Sequence, residues 1–157
     1  MSDQVRLVLS HLLLEVELAQ KLHSKLLEEE QVLIHNDLTQ LQAITDGKSE
    51  IITNYLSIKD ARFSKLSQAG LNFDENQLGE WIESQAELEL KSTWTTLIDI
   101  LKKSKLINQT NGLIIHQLSS KNQRAISILL GENEADRLYG PSGQNLNSSG
   151  QQKITGY

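Results

Sequence analysis

The sequence predicts an all-α protein: an elongated antiparallel helical bundle or coiled coil of long helices, followed by a disordered C-terminal tail. Leu, Gln, Glu and Lys, which favour helices, are abundant. The chain has only one proline, two tryptophans, three tyrosines and two phenylalanines, whereas strands would require more aromatic and β-branched residues. Apolar residues also recur at alternating spacings of four and three, the period of a helical seam.

The first helix is indicated by an unbroken seam, and Ser2 or Asp3 is suited to cap its beginning. Additional leucines beside the seam widen the apolar face, so we expect this helix to contact more than one neighbour. The seam positions are Val5, Leu9, Leu12, Val16, Ala19, His23, Leu26, Glu30 and Leu33.

The seam slips by one residue near Asn36 and Asp37, where Asp37 and Gln40 fit a capping box. We therefore predict a break or sharp kink, with an unbroken helix containing a stutter as the alternative. The second helix should end before Gly70, which suits the left-handed position after a helix. Its seam positions are Leu38, Leu41, Lys48, Ile52, Tyr55, Arg62 and Leu66.

A short helix and then a long one are predicted after Gly70. Asp74 and Gln77 form a capping box for the short helix, and Phe73 and Leu78 are placed for a hydrophobic staple. Ser84 and Glu87 offer a second capping box, so the long helix is predicted to cover residues 85–130 after a break or a kink near Ser84.

The seam of the long helix contains three asparagines, and such residues fix register at a cost in stability. On this pattern alone, replacing Asn111 with leucine should raise thermal stability and blur specificity. Gly112 suggests the close approach of another backbone. The seam positions are Trp94, Leu97, Leu101, Ser104, Asn108, Asn111, Ile115, Leu118, Asn122, Ala125 and Leu129.

The composition changes after residue 130, which divides the chain into a helical body, 1–130, and a flexible tail, 131–157. The tail holds five of the nine glycines and the only proline. Its few apolar residues cannot bury enough surface to fold alone.

Several function classes are excluded by composition and spacing. A net charge of −5 argues against nucleic-acid binding. Neither a signal peptide nor an apolar span of ~20 residues is present, so we expect a cytoplasmic protein without membrane insertion. No Glu-x-x-His pair indicates a di-metal site, Glu28-Glu29-Glu30 is expected to be a solvated surface, and no nucleophile stands beside a base. We therefore predict no cofactor, no metal and no enzymatic activity.

The C-terminal half of the chain resembles the FlgN-type flagellar export chaperones. The resemblance rests on Asn108, Asn111-Gly-Leu-Ile-Ile115, Asn122-Gln-Arg-Ala125, Leu129-Leu-Gly131 and Tyr139-Gly-Pro-Ser-Gly-Gln144. It extends less specifically to Leu38-x-x-Leu41 and Lys48-x-x-Ile51-Ile52. The resemblance implies a cytoplasmic chaperone that binds the C-terminal helical segments of the hook-filament junction proteins. Such a chaperone prevents their premature assembly and delivers them to the type III export gate.

Two sets of site residues follow from this resemblance and from the seam. The expected client-binding residues are Asn108, Asn111, Gly112, Ile115, Asn122, Ile126, Leu129 and Leu130. The residues expected to dock on the cytoplasmic domain of the export gate are Leu138, Tyr139, Gly140 and Gly143. The alternative function is a structural coiled-coil adaptor that self-associates, and spacing alone does not distinguish a homo-oligomer from client capture.

Overall fold

The computed structural model describes residues 1–131, so the predicted tail lies almost entirely outside the described residues. All regular elements in that range are helical, which confirms the all-α prediction. They are α1 (Asp3–Ile34), a 3-10 helix (Leu38–Gln40), α2 (Leu41–Gln68), α3 (Glu75–Ser84) and α4 (Leu88–Leu129). The chain divides into two units, residues 1–115 and residues 116–157, which are described separately below.

The chain breaks between α1 and α2, as the register slip predicts. Asn36 has a φ of 54°, and the Asp37 amide donates to the Val32 carbonyl at 3.0 Å, which closes the end of α1. The predicted Asp37–Gln40 capping box is wrong, because the Asp37 carboxylate accepts from the backbone amide and the hydroxyl of Thr39. Asp37 therefore caps the 3-10 helix that separates the two long helices.

The directions of the helices follow from the residues that they bring together. Glu15 pairs with Arg62 and Glu29 with Lys48, so α2 runs antiparallel to α1. In the first unit, Ser104 lies beside His23, and Asn111 donates to the Leu26 carbonyl. α4 thus runs in the same direction as α1 and opposite to α2, which confirms an antiparallel bundle of long helices.

The core is built from residues that repeat every seven positions, because two helical turns return to nearly the same face. On α1, Val5, Leu12, Ala19, Leu26 and Leu33 form one buried row. A second apolar group joins α1 to α2, α3 and α4 at one end of the first unit. Its buried members are Val5, Val8, Leu9, Leu12, Ala19, Leu66, Leu78, Ile82, Leu90 and Leu97. Full burial of each large apolar side chain stabilises the bundle by roughly 1.5–3 kcal/mol relative to exposure.

The connection from α2 to α3 follows the predicted turn chemistry. Gly70 has a φ of 81°, and the Leu71 amide donates to the Leu66 carbonyl at 2.8 Å. At the start of α3, the Asp74 carboxylate accepts from the Gln77 amide, and the Gln77 side chain accepts from the Asp74 amide. This capping box fixes the first turn of α3 and places Leu78 in the core.

The second predicted capping box, at Ser84 and Glu87, is wrong. Ser84 is the last residue of α3, and its hydroxyl donates to the Trp81 carbonyl at 2.6 Å. α4 begins at Leu88 rather than at residue 85. The chain therefore breaks between α3 and α4, since Gln85 has extended backbone angles.

Candidate functional site

A buried polar cluster joins α4 to α1 and α2 within the first unit. The Asn111 amide nitrogen donates to the Leu26 carbonyl and to Glu29 Oε1, each at 3.0 Å. Lys48 Nζ lies 2.9 Å from Glu29 Oε2 and donates to Asn108 Oδ1 at 3.2 Å. Glu29 and Asn111 are fully buried, so their charge and amide are held in place by these contacts rather than by water.

A second buried polar cluster lies between α1, α2 and α3. Arg62 donates to both carboxylate oxygens of Glu15 and, at 2.8 Å, to Glu75. Tyr55 donates its hydroxyl proton to Glu15 at 3.2 Å. Burial, followed by the charge and hydrogen bond of Glu15, raises the pKa of Tyr55 above its usual range. Burial opposes the charge of Arg62, but the two carboxylates outweigh it and raise the pKa of Arg62.

The sequence pattern contained part of this arrangement. Lys48, Tyr55 and Arg62 repeat every seven residues on α2 and were placed on its seam. Glu15 and Glu29 were missed, although they lie two heptads apart and face those α2 residues in the structure. The signal was the matching fourteen-residue spacing of two acids on α1 and two bases on α2. Glu29 also corrects the expectation that Glu28-Glu29-Glu30 is wholly solvated, because its side chain points inward while Glu28 stays exposed.

The first unit also has a small surface groove beside the Asn111 cluster. Its volume is about 250 Å³, and its wall combines apolar side chains with polar ones. The lining residues are Leu22, Leu26, Ile52, Leu101, Ser104, Lys105 and Asn108. The groove therefore lies at the surface where α1, α2 and α4 meet.

The predicted site residues of the first unit differ in accessibility. Asn108 is exposed and accepts from Lys48, whereas Asn111 is buried within the unit's own packing. Gly112 is exposed, and no atom lies within 4 Å of the position that a Cβ would take. The expected approach of another backbone to Gly112 is thus wrong for the described residues. Ile115 is half-buried.

The predicted site residues of the second unit are exposed on the last turns of α4. Ile126 is 56% exposed, Leu129 85% and Leu130 70%, and their neighbour Ile128 is 69% exposed. Asn122 is exposed as well, so no buried hydrogen bond of the kind made by Asn111 fixes it. The spacing of Leu118, Asn122, Ala125 and Leu129 places them along one face of the helix.

This exposed group, Ile126, Ile128, Leu129 and Leu130, is called the apolar end of α4 below. Ile126 and Leu129 are three residues apart and share one face of the helix, and a group of exposed large apolar residues is typical of an interaction site. The remaining predicted residues, Leu138, Tyr139, Gly140 and Gly143, lie outside the described residues.

Two further observations concern the chemistry available in residues 1–131. No three His, Cys, Asp or Glu side chains are grouped there as metal ligands would be. None of the helices in that range contains an apolar stretch long enough to cross a membrane. The side chains of these described residues form packing surfaces and buried ion pairs.

Comparison with known proteins agrees with the family resemblance of the sequence motifs. The family model described as FlgN protein matches residues 6–147. The chain is also similar to the flagella synthesis protein FlgN of Proteus mirabilis, with 30% identity over 108 residues, which cover 69% of this chain and 67% of that protein. No solved structure matches. Because the family model spans most of the sequence, the chain belongs to the FlgN family of flagellar chaperones.

Proposed function

We propose that this chain is a cytoplasmic flagellar export chaperone whose clients are hook-filament junction proteins. It binds their C-terminal helical segments, prevents their premature assembly and delivers them to the export gate. Membership of the FlgN family supports the general role. The observation that carries the client-binding part is the apolar end of α4, where four large apolar side chains are between 56% and 85% exposed.

The apolar end suits a helical client for a physical reason. An amphipathic helix buries its apolar face by lying against another apolar surface, and its own residues then no longer pair with other copies of the client. Each large side chain that becomes fully buried contributes roughly 1.5–3 kcal/mol before ordering costs are subtracted. The client-binding surface proposed here therefore comprises Ile126, Ile128, Leu129 and Leu130, with Asn122 earlier in the same unit.

The asparagines of the first unit take a different part in this proposal. Asn111 is buried against α1, and Asn108 accepts from Lys48, so both are engaged in contacts of the bundle. Their proposed role is to set the register of α4 in the bundle.

Docking on the export gate is proposed for the segment from Leu138 to Gly143. Tyr139 is the proposed anchor, because a tyrosine combines a large apolar ring with a hydroxyl that can keep a hydrogen bond, and such residues are frequent hot spots. Gly140 and Gly143 would permit sharp backbone turns beside the ring. The proposed receptor is the cytoplasmic domain of the gate.

Changing both Leu129 and Leu130 to serine is expected to weaken binding of a junction-protein C-terminal segment at least tenfold. Both side chains are largely exposed, so their loss should remove client contacts with little effect on the folded chain. Titration calorimetry with the purified segment measures the affinity, and circular dichroism checks the helix content. The matched control is Leu13→Ser with Leu14→Ser, which changes two adjacent leucines on α1 that are 48% and 47% exposed.

Equal weakening by both double variants would contradict the assignment of the client surface to the end of α4. The self-associating adaptor makes a different prediction for the same variants. If the chain sediments as a dimer and Leu129→Ser with Leu130→Ser makes it a monomer without affecting client binding, the adaptor explains the surface better.

A further inference from the structure

The charge of the second unit's described residues differs from that of the chain as a whole. The chain carries 20 acidic and 15 basic residues, a net charge of −5. Residues 116–131 contain Lys121 and Arg124 and not one Asp or Glu. The nearest acidic residues in the sequence are Asp99 on one side and Glu132 on the other.

The helix dipole does not account for these two cations. Basic residues at the C-terminus of a helix offset its dipole, but the effect falls off beyond the last turn. The last turn of α4 contains no basic residue, and Lys121 and Arg124 lie further back along the helix. Their placement therefore calls for a different explanation.

Acidic residues one turn away on the same helix do not neutralise these two cations either. Elsewhere the chain pairs exposed lysines with acids one turn away, as in Lys21 with Glu17 and Lys103 with Asp99. Lys121 and Arg124 are exposed, and the sequence has no acid within a turn of either. Neither charge is consequently neutralised by an acid one turn away on the described part of α4.

The position of Lys121 beside the apolar stripe indicates what a binding partner of this segment is. On the seam formed by Leu118, Asn122, Ala125 and Leu129, Lys121 occupies the flanking position just before Asn122. In paired helices this position meets a charged residue of the facing helix, and opposite charges there select the partner. Ala125 on the seam leaves room for a close approach.

We propose that the surface of residues 116–131 binds an acidic amphipathic helix, one that carries Asp or Glu beside its apolar stripe. The inference rests on the proposed function and specifies the chemistry of the client segment. Residues 116–131 of a second copy fit the surface less well, because pairing two such segments brings Lys121 and Arg124 of both copies together, and neither segment contains an acid.

The test uses the full chain and two synthetic helical peptides of about four heptads with the same leucine seam. One peptide carries glutamate at the flanking positions and the other carries lysine. The chain is expected to bind the glutamate peptide at least tenfold more tightly, and the preference should shrink in roughly 0.5 M salt because exposed charges are screened. Lys121→Glu combined with Arg124→Glu should invert the preference.

A matched charge reversal shows whether the effect is local. Lys102→Glu with Lys105→Glu changes the net charge by the same amount on exposed positions of the same helix in the first unit. This variant is expected to retain the wild-type preference. Equal binding of both peptides by the wild-type chain, or an unchanged preference after reversal at residues 121 and 124, would overturn the proposal.

The two proposals fail in distinguishable ways. If Leu129→Ser with Leu130→Ser abolishes binding of the junction-protein segment while charge reversal leaves the peptide preference unchanged, client binding stands and the acidic class is wrong. If the junction-protein segment does not bind but the glutamate peptide is preferred, the acidic class stands and the client assignment is wrong.

Discussion

Replacing Arg62 with methionine is expected to lower the free energy of unfolding by about 3–5 kcal/mol, because it leaves a buried carboxylate without its counter-ion. Glu15 is fully buried and receives two hydrogen bonds from Arg62. Methionine retains much of the apolar stem of arginine, so the loss reports on charge more than on volume. Urea denaturation followed by circular dichroism measures the change.

Two further variants separate the buried pair from its half-buried extension. Lys59→Met removes the half-buried partner of Glu75 and is expected to cost less than about 1 kcal/mol. Glu15→Leu with Arg62→Met removes both buried charges and should be more stable than Arg62→Met alone. A loss below about 1 kcal/mol for Arg62→Met would show that the pair is not held in a buried environment.

Asn111→Leu is expected to lower the free energy of unfolding by about 1.5–3 kcal/mol, the range for a hydrogen bond to a charged group. The side chain is fully buried and donates to Glu29 and to the Leu26 carbonyl, and leucine can donate to neither. This expectation reverses the one drawn from the seam pattern alone, which ignores the carboxylate opposite. Thermal and urea denaturation measure the change.

The paired control for this variant is Asn122→Leu. Asn122 also lies on the seam but is exposed, so its replacement should change stability by less than about 0.5 kcal/mol. A higher melting temperature for Asn111→Leu would instead support the view that a seam asparagine trades stability for register. The hydrogen bonds to α1 would then contribute less than their burial implies.

Local sequence signals predict most of the fold because they act within a few residues. The register slip at Asn36, the glycine after α2 and the Asp74–Gln77 box each concern one turn of chain, and each is found in the structure. The boxes proposed at Asp37 and Ser84 fail because a nearer partner, Thr39 or the Trp81 carbonyl, takes the side chain. Such competition depends on backbone geometry that a residue pattern does not contain.

Only some members of the two buried polar clusters could be predicted from the sequence. The seam count identified Lys48, Tyr55 and Arg62 as inward-facing, but a helical pattern assigns polar residues such as Glu15 and Glu29 to the surface. Burial of these two carboxylates is favourable only when α2 is folded back against α1, because this places Lys48 and Arg62 beside them. Long-range pairing of this kind requires knowledge of which helices are neighbours.

Hydrogen exchange of the full chain, with and without a junction-protein C-terminal segment, tests the central claim most directly. The claim is that the buried side chains of the first unit are packed and paired by contacts within that unit. The apolar end of α4, by contrast, is covered by a client. Binding is therefore expected to slow amide exchange in residues 116–131 and to leave exchange around Arg62 and Asn111 unchanged. Slower exchange confined to residues 1–115, with no change in residues 116–131, would contradict it.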